Sequence, residues 1–206
     1  SGDITWLEII EYMVKKGKPI MIASGASTIE DVKRAMNVLI KRTKKIVLMQ
    51  CNTNYTGSID NFKYINLNVL KLYRKLYPDI VLGLSDHTPG HSTVLGAVAL
   101  GAKVIEKHFT DDNLRVGPDH GFAMNPQTWK EMVDRTREME LSLVDGIKRI
   151  EKNEKKSIVV QRRSLRSVKD MKVGEKIGTK DLESLRPIPK NGLPPHEINK
   201  LINKKL

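Results

Sequence analysis

Short, largely apolar runs alternate along this chain with stretches whose apolar residues recur every three to four positions, and this alternation limits the fold most. Pro19-Ile20-Met21-Ile22-Ala23-Ser24, Ile46 to Gln50, Ile80 to Leu84 and Val104 to Phe109 read as strands. Their near-continuous hydrophobicity marks strands covered on both faces. Between them lie helical stripes: Trp6, Ile9, Ile10, Met13 and Val14, stopped by Gly17; then Val32, Ala35, Met36, Leu39 and Ile40, opened by a capping box at Thr28 and Asp31 (or Ser27 and Glu30). Ile65, Val69, Leu72, Tyr73 and Leu76 form the next stripe, which Pro78 ends, and His91 to Leu100 a short one. Asn125 and Pro126 open a long helix running towards Lys148. Strands alternating with helices imply an α/β fold with a parallel sheet, either a (β/α) barrel or a doubly wound sheet. Four strand–helix units are half of an eight-fold barrel, and the opening Ser1-Gly2-Asp3 reads as the end of an earlier strand. A fragment is therefore expected.

Residues 1–150 carry this pattern, and 151–160 are charged and lysine-rich, as in an exposed linker. In 161–206 the pattern changes. Ser164 to Val168 reads as a short strand, Lys172 to Ile177 as a turn, and Asp181 to Pro187 precedes a Pro/Gly-rich loop. These predict a small β-rich second domain.

Composition narrows the function classes. The formal charge of +12 invites a nucleic-acid reading, but the excess lies on lysine-rich helix faces and in the C-terminal third, and only 5% of residues are aromatic. A positive field also steers phosphorylated small molecules. The single cysteine, Cys51, excludes an intramolecular disulfide framework and fits a reducing cytoplasm. No apolar run approaches the roughly 20 residues that cross a bilayer, and no signal peptide is evident.

The chemistry concentrates at two strand ends. His87 follows Gly83-Leu84-Ser85-Asp86, and His108 follows Ile105-Glu106-Lys107. Adjacent strands lie about 4.8 Å apart, so two histidines leaving neighbouring strands on one face can grip one ion and leave positions for water and substrate. Either histidine alone would more often be a hydrogen-bonded core residue. Strand parity places Met49, Cys51, Thr53 and Tyr55 on one face, with Val81, Gly83, Ser85 and His87, and Val104, Glu106 and His108, on matching faces. Functional groups above a packed core are how a barrel mouth is built, although Thr53 and Tyr55 could merely begin a loop. In Gly117-Pro118-Asp119-His120, Asp119 could take hydrogen bonds from a polyhydroxyl substrate or close an Asx-turn. His91 and His196 read as capping or surface residues.

Ser1-Gly2-Asp3, Gly17-Lys18-Pro19, Ser24-Gly25, Cys51-Asn52-Thr53-Asn54-Tyr55, Gly83 to Thr88, Ala97 to Ala102, Val104 to Thr110 and Gly117-Pro118-Asp119 together resemble the N-acetylneuraminate (sialic acid) synthase family. Ser164 to Pro187 is similar to that family's C-terminal SAF domain, a β-clip domain like type III antifreeze protein. The resemblance implies the C-terminal half of a (β/α)8 TIM barrel followed by most of an SAF domain. It implies a transferase that condenses phosphoenolpyruvate with N-acetylmannosamine or a related N-acylated amino sugar, releasing phosphate. His87 and His108 match the ligands of a divalent metal, manganese or magnesium, and with Tyr55 and Glu106 are expected to carry catalysis. Ser1, Ser24, Thr53, Asn54, Tyr55 and Ser85 match residues around the substrates. Asp119 matches a carboxylate that holds sugar hydroxyls. Arg186 matches the arginine that one protomer's SAF domain supplies to its partner in a domain-swapped homodimer.

Some positions depart from the family pattern. Ala23 stands where many members place serine, and the loop Pro187 to Leu193 is longer than usual. The first four barrel strands are not in this sequence, and the SAF pattern stops without its last strand. The chain alone is therefore expected to be inactive and poorly soluble. The sugar could equally be the precursor of legionaminic or pseudaminic acid. Readings of other classes are a metal-dependent hydrolase on the same barrel and a non-catalytic sugar-binding SAF module; no nucleic-acid or membrane partner is expected.

Overall fold

The computed structural model describes residues 2–206. The chain divides into two compact units, Ser1–Asp145 and Gly146–Leu206.

In the first unit, a 3-10 turn at Gly2–Thr5 leads into α1 (Leu7–Val14), and Gly17 at φ +69° turns the chain into β1 (Ile20–Ala23). Helix α2 (Ile29–Ile40) opens on the expected capping box: the Thr28 N–H donates to Asp31 Oδ2 at 2.8 Å, and the Asp31 N–H to Thr28 Oγ1 at 3.2 Å. β2 (Ile46–Cys51) follows, then α3 (Val69–Leu76), β3 (Val81–Asp86), α4 (Ser92–Ala99), β4 (Val104–Lys107) and α5 (Pro126–Leu143). Two helices differ from the periodicity. A 3-10 turn at Ile59–Tyr64 and Asn66 at φ 47° interrupt the stripe before α3, so Ile65 lies outside it. Val144, at φ 36°, ends α5 short of Lys148.

The four strands are parallel and lie in the order β1-β2-β3-β4. Parallel crossovers are almost always right-handed, so an order that never reverses places every helix on one face. That is barrel winding; a doubly wound sheet needs a reversal. The core confirms it. Ile20, Ile22, Ile46, Leu48, Leu82 and Leu84, alternate residues on three strands, pack with Val32, Ala35, Met36, Leu39, Leu70, Tyr73, Val94 and Met132 of the helices. On the opposite, inner face Met21 and Val81 are exposed, whereas Met49 and Cys51 are buried. Gly83 accounts for Met49: a Cβ there would lie 2.9 Å from Met49 Cγ and 2.7 Å from the Val104 carbonyl, so glycine is what lets the methionine fold over β3.

The second unit holds a 3-10 turn at Lys152–Glu154, α6 (Lys155–Gln161), and the antiparallel pair β5 (Ser164–Ser167) and β6 (Leu182–Leu185). An isolated bridge joins Lys176 to Lys205, and a 3-10 turn spans Pro195–Lys200. Residues 151–160, expected as a linker, are largely helical here. The Ile188 N–H donates to the Val159 carbonyl at 3.0 Å, which ties the segment to the unit, and α6 is too short to show a periodicity. Among the described residues no helix is long and apolar enough to cross a membrane.

Candidate functional site

The inner face of the first unit gathers the predicted groups where β2, β3 and β4 end. Register pairs Ser85 with Glu106 and Asp86 with Lys107. Because successive side chains alternate, Ser85 and Glu106 face inward, Asp86 and Lys107 face the helices, and His87 and His108, one residue beyond the strands, face inward again. The two imidazoles meet with ring centroids 5.1 Å apart. Tyr55 closes over both, its ring centroid 4.4 Å from that of His87 and 5.6 Å from that of His108. Phe122, from the loop after β4, lies 5.1 Å from His108. The two loops touch at Gly57, where a Cβ would lie 2.4 Å from Phe122 Cβ.

Each imidazole is held through the same nitrogen. His87 Nδ1 is 2.8 Å from the Asn52 carbonyl. A carbonyl oxygen only accepts, so Nδ1 carries the proton and Nε2 of the neutral ring keeps the lone pair. His108 Nδ1 faces Asp119 Oδ2 at 3.3 Å, and a carboxylate opposite that nitrogen favours the same tautomer. Histidines that ligate metals typically carry this arrangement, one nitrogen on a carbonyl or carboxylate and the other turned over to the ion. Among the described residues no cluster of three or more His, Cys, Asp or Glu side chains forms a cage. Two imidazoles with lone pairs on Nε2 nevertheless suit a divalent cation that takes its other ligands from water and substrate.

Beneath the rings, the Ser85 hydroxyl donates to Glu106 Oε1 at 3.0 Å. Ser85 is buried and Glu106 exposed on the inner face. Thr53 Oγ1 lies 3.9 Å from Cys51 Sγ. β2 has ended by then, so Thr53 and Tyr55 reach the site from a loop rather than by strand parity. Asn54 organises that loop: its Oδ1 accepts from the Thr56 N–H at 3.0 Å and from Asn61 Nδ2 at 3.3 Å.

Two further expected substrate residues have other partners within their own units. Ser24 follows inward-facing Ala23 and turns to the helix side, donating towards the Met49 carbonyl at 3.1 Å and lying 3.3 Å from Gln50 Oε1. Arg186 belongs to the second unit, where its Nε–H donates to the Gln161 carbonyl at 2.7 Å. Ser1 lies outside the described residues.

Sequence reasoning missed two supporting structures. One is the buried Asp86–Lys107 ion pair at 2.6 Å, on the helix side of the histidines. The signal was available, since parity assigns both charged residues to the apolar-facing side of adjacent strands. The other is the clasp of the loop that carries Asp119. Thr110 Oγ1 bonds His120 Nδ1 at 2.7 Å, and Asn113 Nδ2 donates to the carbonyls of His120 and Ala123 at 2.8 Å each. Asn125, the cap of α5, donates to Asn113 Oδ1.

The family model described as the NeuB family matches residues 1–148. The chain belongs to that family. It is 37% identical to the N,N'-diacetyllegionaminic acid synthase of Campylobacter jejuni over 91% of its own length and 56% of that protein's. It is 32% identical to the human N-acetylneuraminate-9-phosphate synthase over 100% of its own length and 56% of that protein's. The crystal structure of an N-acetylneuraminic acid synthetase from Leptospira borgpetersenii superposes with a TM-score of 0.68 at 25% identity, covering 76% of this chain and 53% of that one. The chain thus spans a little over half the length of the curated NeuB relatives it matches. Its curled, parallel half-barrel agrees with the barrel architecture of such enzymes.

Proposed function

We propose that this chain carries the metal-binding half of a nonulosonic acid synthase, which joins phosphoenolpyruvate to an N-acylated amino sugar with release of phosphate. One observation supports this most: within a family of such synthases, two imidazoles from adjacent strand ends touch on the inner barrel face, each pinned through Nδ1. His87 and His108 would hold a manganese or magnesium ion. That ion would supply Lewis acidity, making the sugar's aldehyde carbon electrophilic towards the enol carbon of phosphoenolpyruvate.

The chain's own residues then have defined work. Tyr55 and Phe122 wall the imidazoles and exclude bulk water from the face where the carbon–carbon bond forms. Ser85 and Thr53 offer hydroxyl donors to phosphoenolpyruvate, and Asn54 shapes the loop carrying Thr53 and Tyr55. Glu106, already accepting from Ser85, is the inward carboxylate suited to take a proton from the water that adds to the substrate. Asp119 serves twice, orienting His108 and accepting from sugar hydroxyls. The second unit is read as an SAF domain, with Arg186 reaching the site of a partner subunit in a cytoplasmic homodimer. N-acetylmannosamine is the substrate put first, with the precursors of legionaminic and pseudaminic acid as the related candidates.

The decisive variant is His108→Ala in the full-length protein. Unchanged melting with loss of metal-dependent turnover supports the reading, and retained turnover ends it.

A further inference from the structure

Beneath the two imidazoles, on the face of the sheet turned away from them, Asp86 and Lys107 form an ion pair across the register of β3 and β4. Their side chains are 0% and 2% exposed. Lys107 Nζ donates to Asp86 Oδ2 and to the Thr88 carbonyl, each at 2.6 Å. Asp86 also accepts from the Thr93 hydroxyl at 2.6 Å, the Thr88 hydroxyl at 2.9 Å and the Thr88 N–H at 3.1 Å. One carboxylate therefore joins four pieces of chain: the end of β3, the loop after it, the first turn of α4 and the end of β4.

A purely apolar pair would fill this space without the desolvation cost that two buried charges carry. What the ion pair adds is directional. Asp86 is bonded directly to His87 along the chain and Lys107 to His108, so the pair fixes the two backbone segments that aim the imidazoles. An apolar contact tolerates sliding, whereas a buried, fully bonded carboxylate has one low-energy arrangement. No buried side-chain nitrogen or oxygen among the described residues lacks a partner, so the network is closed.

We infer that Asp86 and Lys107 are positioning residues, which set the distance and angle between His87 and His108 and thereby the affinity of the pair for a divalent cation. The cation readout rests on the proposed metal role, whereas the ring geometry does not. The test uses Lys107→Met and the charge-free double variant Asp86→Asn/Lys107→Met in the full-length protein. The double variant leaves no orphaned charge and keeps the test open where the single variant fails to fold.

Two readouts separate this inference from the metal reading. Histidine-selective labelling thins the spectrum, and the His87–His108 nuclear Overhauser contact, between rings 5.1 Å apart, is then visible without metal. The folded variants are expected to lose that contact and to bind manganese roughly 10- to 100-fold more weakly, as with other outer-shell changes. Loss of the contact in variants of a protein that never bound manganese would sustain the positioning role and remove the metal role. A folded variant that keeps the contact and, where the parent binds manganese, the parent affinity overturns the inference, and any fall in melting temperature is then merely structural.

Discussion

Lys107 Nζ lies 2.6 Å from Asp86 Oδ2 with both side chains almost wholly out of solvent, and each residue immediately precedes one of the two site imidazoles. The arrangement has a thermodynamic signature. Removing one partner of a buried pair strands the other, at a cost of about 3–5 kcal/mol, whereas removing both at constant shape costs much less. Lys107→Met should therefore lower the unfolding free energy by about that amount in urea denaturation, and Asp86→Asn/Lys107→Met by less than half of it. Equal losses from the two variants would show that packing, not charge, holds this corner.

Gly83 is a second point where one atom decides. A Cβ there would lie 2.7 Å from the Val104 carbonyl and 2.9 Å from Met49 Cγ. Backbone is the nearer obstacle, so Gly83→Ala should push β3 from β4 and destabilise by about 1–3 kcal/mol, the usual cost of overpacking. Gly2→Ala, with open space around it, is the control and should stay within about 0.5 kcal/mol. A neutral Gly83→Ala in the same denaturation series would mean that the strands separate freely there.

Asp119 is 48% exposed, so on the proposed reading its carboxylate orients His108 and adds little to folding. Asp119→Asn should leave the melting temperature unchanged and weaken manganese binding by roughly 10-fold, measured by calorimetric titration. Asp111 pairs with Arg115 at the surface, and Asp111→Asn should change neither quantity. Full manganese affinity in Asp119→Asn would confine that carboxylate to the sugar.

Burial pushes the Tyr73 phenol above its ordinary range, and the Ser24 side chain opposes the shift only in part. The neutral phenol is thus favoured in the folded chain, while the unfolded chain ionises near pH 10. Above that pH the unfolded state sheds the proton first, so stability holds below about pH 10 and declines as pH rises towards the folded value. Tyr73→Phe should remove this part of the alkaline decline, as read from melting temperature between pH 8 and about 11. A decline unchanged by the substitution would assign it to other groups.

The parts legible in the sequence follow from periodicity. The strands were legible as short apolar runs between helical stripes, although the structure covers only one face of them fully, with Met21 and Val81 exposed on the other; parity alone brought His87 and His108 to one face. Barrel winding was not separable from a doubly wound sheet, because strand order is a tertiary property. The Asp86–Lys107 pair needed the register of two strands 21 residues apart, which local pattern does not carry. Ser24 stands at the end of β1, but one step of strand alternation turns it to the helix side. The helix over 155–161 stayed hidden because seven residues cannot display an amphipathic period.

The most direct measurement is phosphate release from phosphoenolpyruvate by the full-length protein with manganese, each candidate amino sugar being supplied in turn. Release that requires both the metal and one sugar is the result expected of a nonulosonic acid synthase, and it names the substrate. A folded, manganese-bound protein that releases no phosphate with any of them would contradict the proposal and favour a metal-dependent hydrolase.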